Sequence, residues 1–169
     1  MQPSALEVDI TPLKRKPGSQ KQFTVSLPPL DGMALVTAEV RATELHLDLA
    51  LEVVGEELVA QGTIEVAWTG PCRRCLEEQT DTTAIELREV FEKRPDEGET
   101  YLLAENEVDL EPMVRETVLL NLPVAPLCRD DCEGPDPSRF PTTVEAEADP
   151  EAEPPADPRW AALSDITFD

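Results

Sequence analysis

The stretch VTAEVRATELHLDLALEVVGEELVAQGTIEVAW, residues 36–68, decides the fold. Val36, Ala38, Val40 and Ala42 alternate with Thr37, Glu39 and Arg41. Leu45, Leu47, Leu49, Leu51 and Val53 then continue the alternation one residue out of phase. A period of two belongs to a strand with one buried face, and the slip near Thr43 predicts a β-bulge or a short break between strands. After Gly55 and two glutamates, Leu58, Ala60, Ile64, Val66 and Trp68 share one face of a second run. The whole stretch therefore predicts an antiparallel hairpin with one buried side.

Further along, Thr82 to Glu92 places Ile85, Leu87 and Phe91 on one face and reads as a third strand, although Ala84 to Arg88 would also suit a helix. Residues 94–108 are polar, contain Pro95 and Gly98, and read as a loop. A helix follows, with Asp109 as its N-cap, Glu111 at the positive end of the dipole and Pro112 in the first turn. Leu110, Met113, Val114, Val118 and Leu122 form its apolar stripe, and Pro123 ends it. The expected class is α+β: an antiparallel sheet or partial barrel with one main helix, forming a single domain over residues 1–132. Residues 133–158 hold seven prolines and eight acids, so 133–156 reads as an acidic, disordered linker that cannot bury enough apolar surface to offset its ordering entropy. Asp157 and Pro158 then offer a helix start ahead of Trp160 and Leu163 at i, i+3, which makes 157–169 a short docking segment.

Composition narrows the function. The 169 residues carry 36 acids against 14 bases, a net charge of −22, which opposes any nonspecific grip on nucleic acid or anionic membrane. Of the segments 1–30, 31–60, 61–95, 96–127 and 128–169, only the first is net positive, at +2, whereas the last sums to −9. Lys14, Arg15, Lys16 and Lys21 form one basic group, and Arg73, Arg74, Arg88, Lys93 and Arg94 another. Brought together they would make an anion site; held apart they are solubilising charge. Met1 to Ile10 lacks a basic segment followed by an apolar one, and no stretch nears the roughly 20 apolar residues of a membrane span, so a cytoplasmic location is expected.

In that compartment the four cysteines read as thiols or thiolates rather than disulfides. Cys72-Arg73-Arg74-Cys75 follows the turn signal Gly70-Pro71 and lies between two strand candidates, the setting of a metal knuckle. Cys128 and Cys132 form a second pair within C-x₂₋₄-C spacing. Together Cys72, Cys75, Cys128 and Cys132 would make a structural Cys₄ zinc site, with Arg73, Arg74 and Arg129 offsetting its net charge of about −2. Fifty-two residues separate Cys75 from Cys128, against the roughly 15–20 of a zinc ribbon, so the tertiary fold would have to close the site. Two other readings stand beside it: partly buried reduced thiols that pack as small hydrophobes, and a redox pair in which flanking guanidiniums lower the pKa of Cys72 or Cys75. Nothing else suggests catalysis. His46 falls on the polar parity of its strand, Trp68 reads as core, and there is no phosphate loop or nucleophile elbow. The chain is expected not to be an enzyme.

The order of features resembles a known family. Leu6-Glu7-Val8-Asp9-Ile10 with Leu13 and Pro17-Gly18-Ser19 comes first, followed by Cys72-Arg73-Arg74-Cys75-Leu76-Glu77. Asp109-Leu110 then leads to Leu119-Leu120-Asn121-Leu122-Pro123 and Pro126-Leu127-Cys128. Cys132-Glu133-Gly134 and Asp157-Pro158-Arg159-Trp160-Ala161-Ala162-Leu163 complete the pattern. This arrangement is similar to the bacterial YceD family of large-subunit ribosomal RNA accumulation proteins. The resemblance implies a non-enzymatic role in synthesis, processing or stability of that RNA. Many relatives carry a second CxxC after the Cys132-Glu133-Gly134 region; in this chain Asp136 and Arg139 stand where its cysteines would fall. A site built from that second pair would be half lost, whereas one joining Cys72/Cys75 to Cys128/Cys132 is intact. The acidity points to a basic ribosomal protein or assembly factor as the partner, with precursor RNA engaged only indirectly and neither membrane nor DNA involved. A thiol-based redox sensor or oxidoreductase acting through Cys72/Cys75 is the alternative.

Overall fold

The computed structural model describes residues 5–139. Contacts divide the chain between Pro135 and Asp136, and the elements below all belong to the first unit. The expected acidic linker beyond Arg139 and the docking segment over 157–169 lie outside the described residues.

The elements, in chain order, are β1 (Glu7–Asp9), α1 (Thr11–Arg15), β2 (Gln20–Leu27), β3 (Ala34–Leu35), β4 (Val40–Val54), β5 (Glu57–Pro71), β6 (Glu78–Glu92), β7 (Tyr101–Leu102), β8 (Glu107–Asp109) and α2 (Glu111–Asn121). The main sheet runs β2-β4-β5-β6-β7, with β3 beside β4, while β1 and β8 form a separate two-stranded ribbon. Every pairing is antiparallel except the two-residue parallel contact of β7 with the end of β6. The fold is a mainly antiparallel sheet with two helices, of which α2 is the main one.

The hairpin read from residues 36–68 is the centre of this sheet. Leu45, Leu47, Leu49 and Leu51 of β4 and Leu58, Ala60, Ile64 and Val66 of β5 are all fully buried, and Trp68 nearly so. The parity slip is a register shift between Ala42 and Glu44. It leaves Val40 and Ala42 facing the same core as the leucines that follow, so β4 is one bulged strand rather than two. The beginning of the run departs from expectation. Val36 is 87% exposed in a turn, and Glu39 adopts φ 56°, so the strand starts at Val40. That turn is held by backbone bonds from Ala38 N to Leu35 O and from Glu39 N to Val36 O. Side-chain alternation marks a strand only where a neighbouring chain supplies the ladder.

Two further differences are local. The loop expected over 94–108 contains β7 and most of β8, strands too short to show periodicity. Leu110, not Asp109, is the N-cap of α2; the Asp109 carboxylate still accepts from Glu111 N at 2.9 Å, a capping bond from one residue earlier. The apolar stripe of α2 covers the sheet as its spacing requires: Leu110, Met113, Val114, Val118 and Leu122 are all buried. Ile85 and Phe91 of β6 join this core with Leu87 partly buried against it, which settles Thr82–Glu92 as strand. Trp68 is core as expected, with its indole N–H donating to Thr83 Oγ1 at 3.0 Å. His46 lies on the opposite, polar face, paired with Ser26 Oγ through Nδ1 at 2.8 Å. Among the described residues no helix is long and apolar enough to cross a membrane.

Candidate metal centre

Gly70 and Pro71 end β5, and the chain turns through Cys72–Cys75 before β6 begins at Glu78. Backbone bonds define this knuckle: Cys72 N donates to Glu77 O at 2.8 Å, and Leu76 N donates to Cys72 O at 2.9 Å. Closing so tight a turn puts Leu76 in the left-handed region at φ 65°, with its side chain 72% exposed. Beyond α2, Pro123 ends the helix and the segment through Pro126 returns to the knuckle, where Arg73 N donates to Pro126 O at 2.8 Å. A second turn, closed by Cys132 N on Arg129 O at 3.1 Å, presents Cys128 and Cys132.

All four Sγ atoms lie within 4.8 Å of one another. Cys72 Sγ is 3.9 Å from Cys132 Sγ, and Cys75 Sγ is 3.8 Å from Cys128 Sγ. Four thiolates at about 2.3 Å from a tetrahedral ion would sit about 3.8 Å apart, so both distances are edges of such a tetrahedron. The donor set is wholly sulfur and suits a soft or borderline ion. The fold thus closes the 52-residue gap, and the site unites Cys72/Cys75 with Cys128/Cys132 without a ligand from Asp136 or Arg139.

The surroundings favour one thiolate, at Cys72. Arg74 N and Cys128 N approach Cys72 Sγ at 3.5 and 3.4 Å, as donors to a sulfur that is fully buried. Backbone N–H donors, Cys75's foremost, bring the Cys72 thiol down to about 6 against the opposing effect of burial. Its neighbours respond in the opposite direction. Cys128 is pushed up to about 12, first by its hydrogen bond with Cys132 and then by burial. At Cys75 the Glu77 N–H lowers the pKa, but burial and the Cys72 thiol outweigh it and the net shift is upward. One site cannot carry four free negative charges; a dication relieves that conflict.

The arginines act differently from the sequence expectation. Arg74 Nη1 donates to the carbonyls of Asp130 and Cys132, both at 2.9 Å, and so ties the two knuckles together. Arg129 is paired with Asp131 at 3.1 Å. The lowering at Cys72 is led by backbone N–H groups rather than by a guanidinium. Periodicity and spacing gave no sign of the N–H donors or of the Arg74 tie, because both depend on two segments meeting. Three lysines of the wider basic groups are engaged by separate partners. Lys14 donates to Glu105 O, Lys21 to Asp9 O at 3.1 Å, and Lys93 to Glu56 at 3.4 Å.

Comparison with known proteins follows the same residues. Residues 60–167 match the family described as Large ribosomal RNA subunit accumulation protein YceD. An uncharacterized protein of Mycobacterium tuberculosis is 32% identical, over 96% of this chain and 82% of its own length. An uncharacterized protein of Mycobacterium leprae is 30% identical, over 96% of this chain and 78% of its own. No solved structure matches. With a family match over more than half of its length and relatives at this identity across 96% of the chain, the chain belongs to the YceD family of large ribosomal RNA subunit accumulation proteins.

Proposed function

We propose that this chain is a non-enzymatic ribosome-biogenesis factor that supports synthesis, processing or stability of large-subunit ribosomal RNA in the cytoplasm. It acts through a basic ribosomal protein or assembly factor and touches precursor RNA only indirectly. Membership of the YceD family carries this reading. The net charge of −22 supports a protein partner over naked RNA, since clustered acids attract cationic tails and repel phosphates. In this reading Cys72, Cys75, Cys128 and Cys132 hold a structural zinc ion that joins the sheet to the segment after α2.

Depletion of the protein tests the role. Large-subunit precursors and mature large-subunit RNA are compared with small-subunit RNA, and selective loss of the large-subunit species is expected. Equal loss of both, or of neither, refutes it. Tight, salt-insensitive binding of the purified chain to ribosomal RNA alone would refute the protein-partner part. The lowered Cys72 thiol favours a second reading, a thiol redox function using Cys72/Cys75. Thiol titration with and without a chelator separates the two. Slow, chelator-dependent release of four thiols supports metal, whereas a fast, low-pKa thiol in metal-free protein supports redox chemistry.

A further inference from the structure

We propose that the open outer edge of β6, together with the groove between it and α2, docks an extended lysine- or arginine-rich segment of a partner protein as an added strand. This rests on the reading of the chain as an adaptor for a basic partner, and it says where that partner binds.

β6 is fifteen residues long and pairs with β5 along nearly its whole length, but β7 covers only Phe91 and Glu92 on the outer side. Glu92 O accepts from Leu103 N at 2.8 Å. In an antiparallel strand alternate residues turn their backbone the same way, so Ala84, Glu86, Arg88 and Val90 also present N–H and C=O outward. Thr82, of the same parity, has its N–H taken by the Asp81 side chain at 2.8 Å. From Ala84 to Val90 the outward groups have no strand partner among the described residues. Edges are ordinarily blunted by charge, proline or a bulge; β6 has no proline or bulge, and its protecting charge is mainly acidic, which excludes like-charged strands and admits a cationic one.

Alongside lies a groove of about 340 Å³ between β6, the Gly98–Tyr101 segment and the last turns of α2. Ile85, Leu87, Tyr101 and Leu120 supply its apolar surface, and Leu120 is 76% exposed. Its rim carries Glu86, Glu89, Glu99 and Glu116 against Arg88 alone. Tyr101 Oη donates to Glu116 Oε2 at 2.9 Å, and neither Glu89 nor Glu116 meets a cation among the described residues. Burial, with Glu116 nearby, raises the Glu89 carboxyl, so the fold keeps a carboxylate where it is costly. An added strand would meet main-chain donors and acceptors along the edge, an apolar slot for the aliphatic stems of alternate lysines, and Glu89 and Glu116 on the same face for their ammonium ends. The same acids repel RNA and a second copy of this chain. They also repel its own residues 140–169, where eight acids face the single Arg159.

The test uses the full chain and a fluorescent peptide of about ten residues alternating lysine and valine, near the upper length of a natural strand. Binding is read by anisotropy and by amide shifts in the protein. Saturable binding is expected, with shifts confined to 84–90 and 116–121, and a peptide with glutamate in place of lysine should not bind. Arg88→Gln removes the one repelling cation and should bind at least as well as the parent. Arg88→Pro removes the same cation plus one outward N–H and leaves the β5 ladder whole, so it should bind roughly tenfold or more weakly. Should Arg88→Pro misfold, Glu116→Lys serves instead and should also lose roughly tenfold.

Equal affinity of the Arg88→Pro and Arg88→Gln chains, or unchanged affinity of Glu116→Lys, overturns the proposal. So do shifts on the polar sheet face around His46, or a single-stranded RNA oligomer seated in the groove. If these variants keep normal affinity while the chain still captures defined basic large-subunit ribosomal proteins, the docking site is wrong and the adaptor role stands. A groove that takes the peptide as described, with depletion sparing large-subunit RNA, supports the site and sinks the role.

Discussion

Loss of the metal should destabilise this protein by an amount that follows from its topology. Cys75 and Cys128 are 53 positions apart, and their Sγ atoms are 3.8 Å from one another. A bond that closes a loop of this length only in the folded state restricts the chain as a cross-link does. The loop-entropy relation puts that restriction at about 4 kcal/mol, an upper bound because unfolded thiols also bind metal. For a chain of this size the corresponding fall in Tm is on the order of 10 °C. Protein purified under reducing conditions without added metal should contain close to one zinc per chain. Thermal melts before and after chelation should show the drop, and added zinc should reverse it. Cys128→Ser should reproduce most of the loss, and Cys75→Ser with Cys128→Ser should cost little more than either alone, because each breaks the same clamp. Because protons compete for thiolates, acidification should release the ion. Zinc-free protein whose Tm is indifferent to chelator would refute the argument and leave four packed thiols.

Three other predictions concern stability. A Cβ at Gly62 would lie 2.1 Å from Asp48 O and 3.0 Å from Leu49 Cα, at φ +150°, so Gly62→Ala must part β4 from β5 at the centre of the sheet. It should cost about 3 kcal/mol or more, from strained backbone and lost ladder bonds, measured by urea titration; a loss well below this would mean the strands separate easily. Leu76→Gly relieves the positive φ at the knuckle and should stabilise by about 0.5–1 kcal/mol, with destabilisation in melts counting against a strained turn. Burial and then Glu116 raise Glu89's pKa in the fold, so its ionised form is disfavoured there and stability falls as pH rises through that raised value. Glu89→Gln should therefore raise Tm at pH 7 and lose that gain below the unfolded glutamate pKa, as followed by thermal melts across pH; a gain that persists in acid would contradict the sign.

The sequence by itself determined the sheet's centre and its main helix. Where a long strand or helix has one face against a core, the periods of 2 and 3.6 are written into side-chain polarity, and Leu45–Leu51, Leu58–Trp68 and Leu110–Leu122 lie where those periods put them. Even the bulge at Thr43 was legible, because a one-residue insertion reverses the parity of everything after it. The same alternation misled at Val36, which no strand pairs among the described residues, and short elements such as β7 and β8 are too brief to carry a period. The four cysteines and the turn at Gly70-Pro71 were visible as two knuckles, each with spacing suited to a metal.

Only the tertiary structure decided that the knuckles meet, because a 52-residue separation specifies no distance until the sheet and α2 are packed. Packing also chose Cys72 as the low-pKa thiol, through N–H groups from both segments, and set Arg74 to tie the two turns. Among the described residues, it alone left the outer edge of β6 without a strand partner from Ala84 to Val90. An edge is defined by which strand fails to pair, and no pattern within the strand records that.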